Sequence, residues 1–186
     1  FPFLKNRRRS ESRDKACFGY AERGGEGGAA SNGCPKGGVV KYQYNMITFN
    51  NLPSELQSEQ PLLKPWLKEL IRQHGFTPGD IAYFFCNDDE LLKINLQFLQ
   101  HDTYTDIITF DYRDGNIVAG EIHISEQRVR DNATEMQNLP LEEFLRVVAH
   151  GVLHLCGFKD KTAKEASEMR CQEEAAISLF KKLKIR

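Results

Sequence analysis

No stretch of this 186-residue chain is apolar over the roughly 18 to 20 residues that a bilayer-spanning helix requires. A membrane is therefore not among the expected partners. The N-terminal residues have no apolar h-region and do not read as a secretory signal peptide. Paired cysteines are missing as well. The five cysteines are Cys17, Cys34, Cys86, Cys156 and Cys171, an odd number with no CxxC. That count argues against a disulfide framework and for a reducing, cytoplasmic home. Cys86 and Cys156 sit in apolar runs and read as small buried hydrophobes. A strong net charge is also lacking, at −1, but the charge is unevenly spread. Residues 1–45 hold nine Lys and Arg against four Asp and Glu, and residues 46–186 hold 16 against 22. An acidic domain is not the usual footprint of a nucleic-acid binder.

Residues 1–45 include the run Arg7-Arg8-Arg9 and a Gly-rich segment around Gly24, with few periodic apolar positions. Such a stretch buries too little surface to fold, so it is expected to be a disordered or non-native leader, with Met46 the natural start. A basic nucleic-acid-binding arm is the alternative. Residues 46–186 are expected to form a single metal-dependent hydrolase domain.

Within that domain, strand-like runs cover 46–49, 81–86, 106–112 and 117–125, and Asp114-Gly115 suggests a hairpin turn between the last two. Helical spacing covers 62–74, and Asn87 followed by Glu90 caps a helix reaching about residue 98. Further helices are expected over 126–136, from Pro140 to about residue 156, and from a Thr162/Glu165 capping box onward. The mixture predicts an α+β fold: a small mixed β-sheet of about four strands covered by helices, with a metal site at the end of a helix in a cleft.

The most informative segment runs from His150 to Asp160 and spells HxxxHxxGxxD. Residues four apart on a helix lie about 40° apart and one turn up, so both imidazoles can reach one ion. Gly157 lets the helix end in a left-handed turn, which brings Asp160 back to the same ion. Leu141, Leu145, Val148, Val152 and Leu155 form the apolar stripe, and both histidines point away from it. Two histidines four apart can simply share a solvated helix face. The Gly and Asp in register favour a metal site instead. His150, His154 and Asp160 would hold one zinc ion with a fourth position left for water, which is the pattern of a catalytic site. Copper, nickel and iron also suit these donors. The zinc-bound water makes hydrolysis the default chemistry.

The spacing matches the zinc-protease motif HExxHxxGxxH, but Gly151 stands where those enzymes need a Glu as general base. The segment HGVLHLCGFKD instead resembles the YbeY-family signature HGxLHLxGxxH. The run from Thr105 to Phe110, TDIITF, resembles that family's TDVLSF strand. Asn95 falls at its LN, Gly120-Glu121-Ile122 is similar to its GDI, and Met169 and Glu173 match its final helix. The likeness extends from about Met46 to the end of the chain. It implies a zinc-dependent, single-strand-specific endoribonuclease acting in rRNA 3′-end maturation, ribosome biogenesis and quality control. RNA would be the partner, with the ribosome or its proteins a further one. Two positions depart from the family. Asp160 replaces the usual third His, and a carboxylate oxygen is an acceptable zinc ligand. Leu99 replaces an Arg, so charge stabilisation must come from the metal or another residue, with His101 a candidate.

Thr105 and Asp106 are candidates to orient a ligand histidine or contact substrate, or else to cap the strand. Ser125 reads as a helix N-cap and Glu143 as a solvated charge, and His123 carries little claim to a site. The general base is not identifiable. A metalloprotease-like hydrolase and a non-enzymatic metal-binding assembly factor are the alternatives. Gly151 argues against the first, and the open coordination position against the second.

Overall fold

Alternation in two long strands sets up the whole architecture of the computed structural model, which describes residues 46–99 and 103–185 and leaves the Leu99 side chain undescribed. In β2 (Thr77–Cys86), Ile81, Tyr83 and Phe85 are buried, while Ala82, Phe84 and Cys86 are half-buried. In β4 (Ile117–Ser125), Val118, Ile122 and Ile124 are buried on the same face. With period 2, one face of the sheet is therefore fully covered and the other only partly. β1 (Ile47–Asn50) and β3 (Ile107–Asp111) complete a four-stranded sheet in the order β1-β2-β4-β3. β1 and β4 run parallel to β2, and β3 runs antiparallel to β4. The sheet is mixed, as the sequence predicts. Gly115, at φ +57, turns the β3–β4 hairpin.

Among the described residues six helices pack around this sheet: α1 (Ser54–Gln57), α2 (Gln60–Gln73), α3 (Asp88–Ile94), α4 (Glu126–Glu135), α5 (Pro140–Leu155) and α6 (Ala163–Lys184). The class is α+β. Helix α3 continues as a π-helical turn over Asn95–Leu99. The expected caps form: Asn87 with Glu90 and Thr162 with Glu165 make capping boxes, and the Ser125 hydroxyl accepts from Arg128 N at 3.3 Å. Two features escape periodicity. Helix α1 is a single turn, too short to show a pattern. Strand β2 starts at Thr77, ahead of the apolar run, through an irregular register between Pro78 and Ile81.

The core lies between the covered sheet face and α2, α5 and α6. Trp66 packs edge-on against Phe180 at 5.2 Å and donates to Ala176 O at 2.8 Å. Tyr83 donates to Val148 O at 2.9 Å, tying β2 to α5. Helix α5 is buried on most sides, and two glycines set how closely it approaches the sheet. A β-carbon on Gly120 would lie 2.8 Å from Leu155, and one on Gly151 would lie 2.9 Å from Ile122. The missing side chain at position 151 thus faces the sheet.

Candidate metal centre

Helix α5 presents His150 and His154 one turn apart, with their Nε2 atoms 2.8 Å from each other. The helix stops at Gly157, whose φ is +98. Gly157 N donates to His154 O at 2.9 Å and Phe158 N to Leu153 O at 3.1 Å, the paired bonds of a Schellman ending. That ending reverses the chain and returns Asp160, whose Oδ2 lies 3.8 Å from each Nε2. One donor atom from each of the three residues falls within a 4.8 Å cluster. The sequence-predicted trio is therefore assembled at one point.

The outer nitrogens of both rings are held. His154 Nδ1 lies 3.0 Å from Phe158 O, and a carbonyl only accepts, so this nitrogen carries the proton. His150 Nδ1 lies 2.8 Å from Glu173 Oε1 and donates to that carboxylate. Both Nε2 lone pairs then face each other beside the Asp160 carboxylate. Burial pushes the His154 pKa down to about 4, with the neighbouring His150 adding to the effect. The Phe158 carbonyl and the Asp160 and Glu173 carboxylates oppose that shift without cancelling it. A neutral imidazole at neutral pH is the form that binds a cation. Two nitrogens and one carboxylate oxygen, with the second nitrogen of each ring pinned, fit a divalent transition metal.

The cluster opens on a cavity of about 170 Å³. Thr105 and Asp106 line it from the start of β3. Neither makes a described hydrogen bond to a histidine: the Thr105 hydroxyl donates to Ile107 O at 3.2 Å, and Asp106 accepts from Asn132 at 3.3 Å. The groups that orient the rings are Glu173 and the Phe158 carbonyl. His101 lies outside the described residues. His123 sits away from this cavity, stacked on Phe84 at 4.8 Å.

Glu143 corrects an expectation. It is 3% exposed rather than solvated. It accepts from Asn138 at 3.0 Å and lies 3.5 Å from Arg146 Nε. Arg146 also lines the cavity, and its Nη1 donates to Glu174 at 2.8 Å. The HxxxHxxGxxD motif does not reach Arg146 or Glu173, and the likeness of the final helix names Glu173 without assigning it a role. One signal was available: Met169, Glu173, Ala176, Ile177 and Phe180 share the buried side of α6, and a charge in an apolar stripe needs a buried partner.

Comparison with known proteins places this geometry in a family. A family model described as Endoribonuclease YbeY matches residues 48–181. A Christiangramia forsetii protein named Endoribonuclease YbeY is 50% identical over 142 residues, covering 76% of this chain and 97% of that protein. One of the same name from Flavobacterium johnsoniae is 43% identical over 135 residues, covering 73% of this chain and 97% of its own. The solution structure of TM1509 from Thermotoga maritima superposes with a TM-score of 0.53 at 28% identity, covering 73% of this chain and 89% of that one. On these matches the chain belongs to the YbeY endoribonuclease family.

Proposed function

We propose that this protein is a zinc-dependent endoribonuclease that cuts single-stranded RNA, acting in rRNA 3′-end maturation and ribosome quality control. Family membership makes it an RNA hydrolase. The observation that carries the metal reading is the pair of Nε2 atoms, 2.8 Å apart beside Asp160, with each Nδ1 against an acceptor oxygen. We assign His150, His154 and Asp160 as the ligands of one zinc ion. A zinc ion supplies Lewis acidity toward a phosphoryl oxygen and acidifies a water molecule.

The chain's own residues do the rest. Glu173 and the Phe158 carbonyl keep the two rings turned inward. Thr105 and Asp106 are the substrate-facing wall across the cavity. Residues 46–186 are the catalytic domain, its partners are RNA and the ribosome, and its place is the cytoplasm. A protease mechanism is disfavoured because position 151 faces Ile122 and Ile107, leaving no room for a carboxylate.

The test pairs cleavage of single-stranded RNA, duplex RNA and casein, before and after chelation. Single-stranded RNA should be cut, the other two spared, and activity should vanish with the metal. His154→Ala should abolish both zinc binding and cleavage. RNA cleavage that survives chelation unchanged, or in His154→Ala, overturns the proposal.

A further inference from the structure

Glu173 holds a ligand histidine with one oxygen and faces a buried cation with the other. Its Oε1 accepts from His150 Nδ1 at 2.8 Å, and its Oε2 lies 3.5 Å from Arg146 Nη1. Both side chains are buried, Glu173 at 6% exposure and Arg146 at 8%. Arg146 stands one turn before His150 on α5, while Glu173 comes from α6. Three carboxylates converge on this single guanidinium: Glu174 at 2.8 Å, and Glu173 and Glu143 at 3.5 Å each. Arg170 also lies near Glu173, at 4.0 Å, but its side chain is 55% exposed.

We propose that Arg146 is a positioning residue of the metal centre, acting through Glu173 on His150. The inference rests on reading His150, His154 and Asp160 as a metal site. A carboxylate fixed at only one oxygen can turn about its last side-chain bond. It then loses the in-line contact with the imidazole proton that sets the ring's orientation and basicity. Removing the guanidinium also leaves the buried carboxylates Glu143 and Glu173 without the buried cation that both face. Arg146 is buried, and its Nη1 hydrogen-bonds Glu174 and Glu173 while its Nε faces Glu143, so its charge is directed at carboxylates of the protein itself. Its fork geometry suits a residue that braces several oxygens at once.

A merely structural Arg146 would staple α6 to α5 without touching metal affinity. The discriminating measurement is zinc binding to the full, metal-stripped chain, read by competition with a chromophoric chelator, with folding checked by circular dichroism. Glu173→Gln and Arg146→Met should each weaken zinc binding by about ten- to a hundredfold. The double variant should bind no worse than Glu173→Gln alone, because both act on one contact. Arg146→Lys keeps the charge but not the fork, and should give a smaller loss. Should Arg146→Met fail to fold, Arg146→Lys in the wild-type and Glu173→Gln backgrounds carries the same comparison. Zinc binding within twofold of wild type in the folded Arg146 variant overturns the inference. So does a double variant whose loss is the product of the two single losses. RNA takes no part in this titration, so failure of the nuclease reading and failure of this inference are separately visible.

Discussion

Gly151 packs under Ile122 so closely that a β-carbon would sit 2.9 Å from Ile122 Cγ2 and 3.0 Å from Ile107 Cδ1. Ile122 is fully buried and its branched side chain cannot swing clear. An alanine here gains up to about 1 kcal/mol of helix propensity but incurs about 1 to 3 kcal/mol of overpacking. Gly151→Ala should therefore lower stability by about 1 kcal/mol in urea denaturation. Gly151→Glu adds a buried, unpaired carboxylate worth several kcal/mol and should not fold. A folded Gly151→Glu protein that digests casein would contradict the packing.

Metal removal should be visible as lost stability. A ligand present at a thousandfold its Kd stabilises the folded state by about 4 kcal/mol. Adding a chelator to the zinc-loaded protein should therefore lower Tm, and adding it to His154→Ala should not. Asp160 lies 3.8 Å from both ring nitrogens, so Asp160→Asn should weaken zinc binding. Asp160→His restores a strong donor and should retain zinc. Equal affinity in Asp160→Asn and wild type would remove Asp160 from the site.

Acid should destabilise the metal-free protein in two stages. Burial lowers the pKa values of His74, His123 and His154 below 6.5, that of His154 to about 4. The unfolded chain then binds more protons than the folded one, so stability is full above 6.5 and falls as pH drops toward about 4. Glu55 is different: its hydrogen bond to Arg130 holds its pKa at about 2 against a usual 4.5. Its contribution is present above 4.5 and is lost as pH falls toward 2. Urea midpoints across this range, in chelator, check both windows. Unchanged midpoints between about pH 7 and pH 5 would refute the histidine stage.

Thiol reactivity should follow exposure. Burial raises the Cys156 pKa to about 12 and that of Cys86 to about 11, with nearby carboxylates adding to the shift at Cys86. Cys171 is exposed. Alkylation of the folded protein at mildly alkaline pH should therefore mark Cys171 ahead of Cys86 and Cys156, as read by peptide mapping. Early labelling of Cys156 would mean that α5 opens at its C-terminal end.

Local chemistry explains which elements were legible beforehand. Asn87 with Glu90 and Thr162 with Glu165 mark helix starts because caps involve residues three apart. The hairpin at Gly115 follows from a backbone angle that glycine adopts freely. Glu143 was not legible in the same way. Its wheel position suggests a wet face, but the side chain is buried against Asn138 and Arg146, and its place on the wheel does not record that.

Chain spacing alone determined where His150, His154 and Asp160 can meet, because a helical turn and a glycine-terminated helix end are fixed by neighbours in sequence. Only the tertiary structure decided what holds the His150 ring. Glu173 lies 23 residues beyond His150 and 27 beyond Arg146, and it reaches both because α6 packs against α5. That contact depends on apolar burial along two helices, so no short-range motif can encode it.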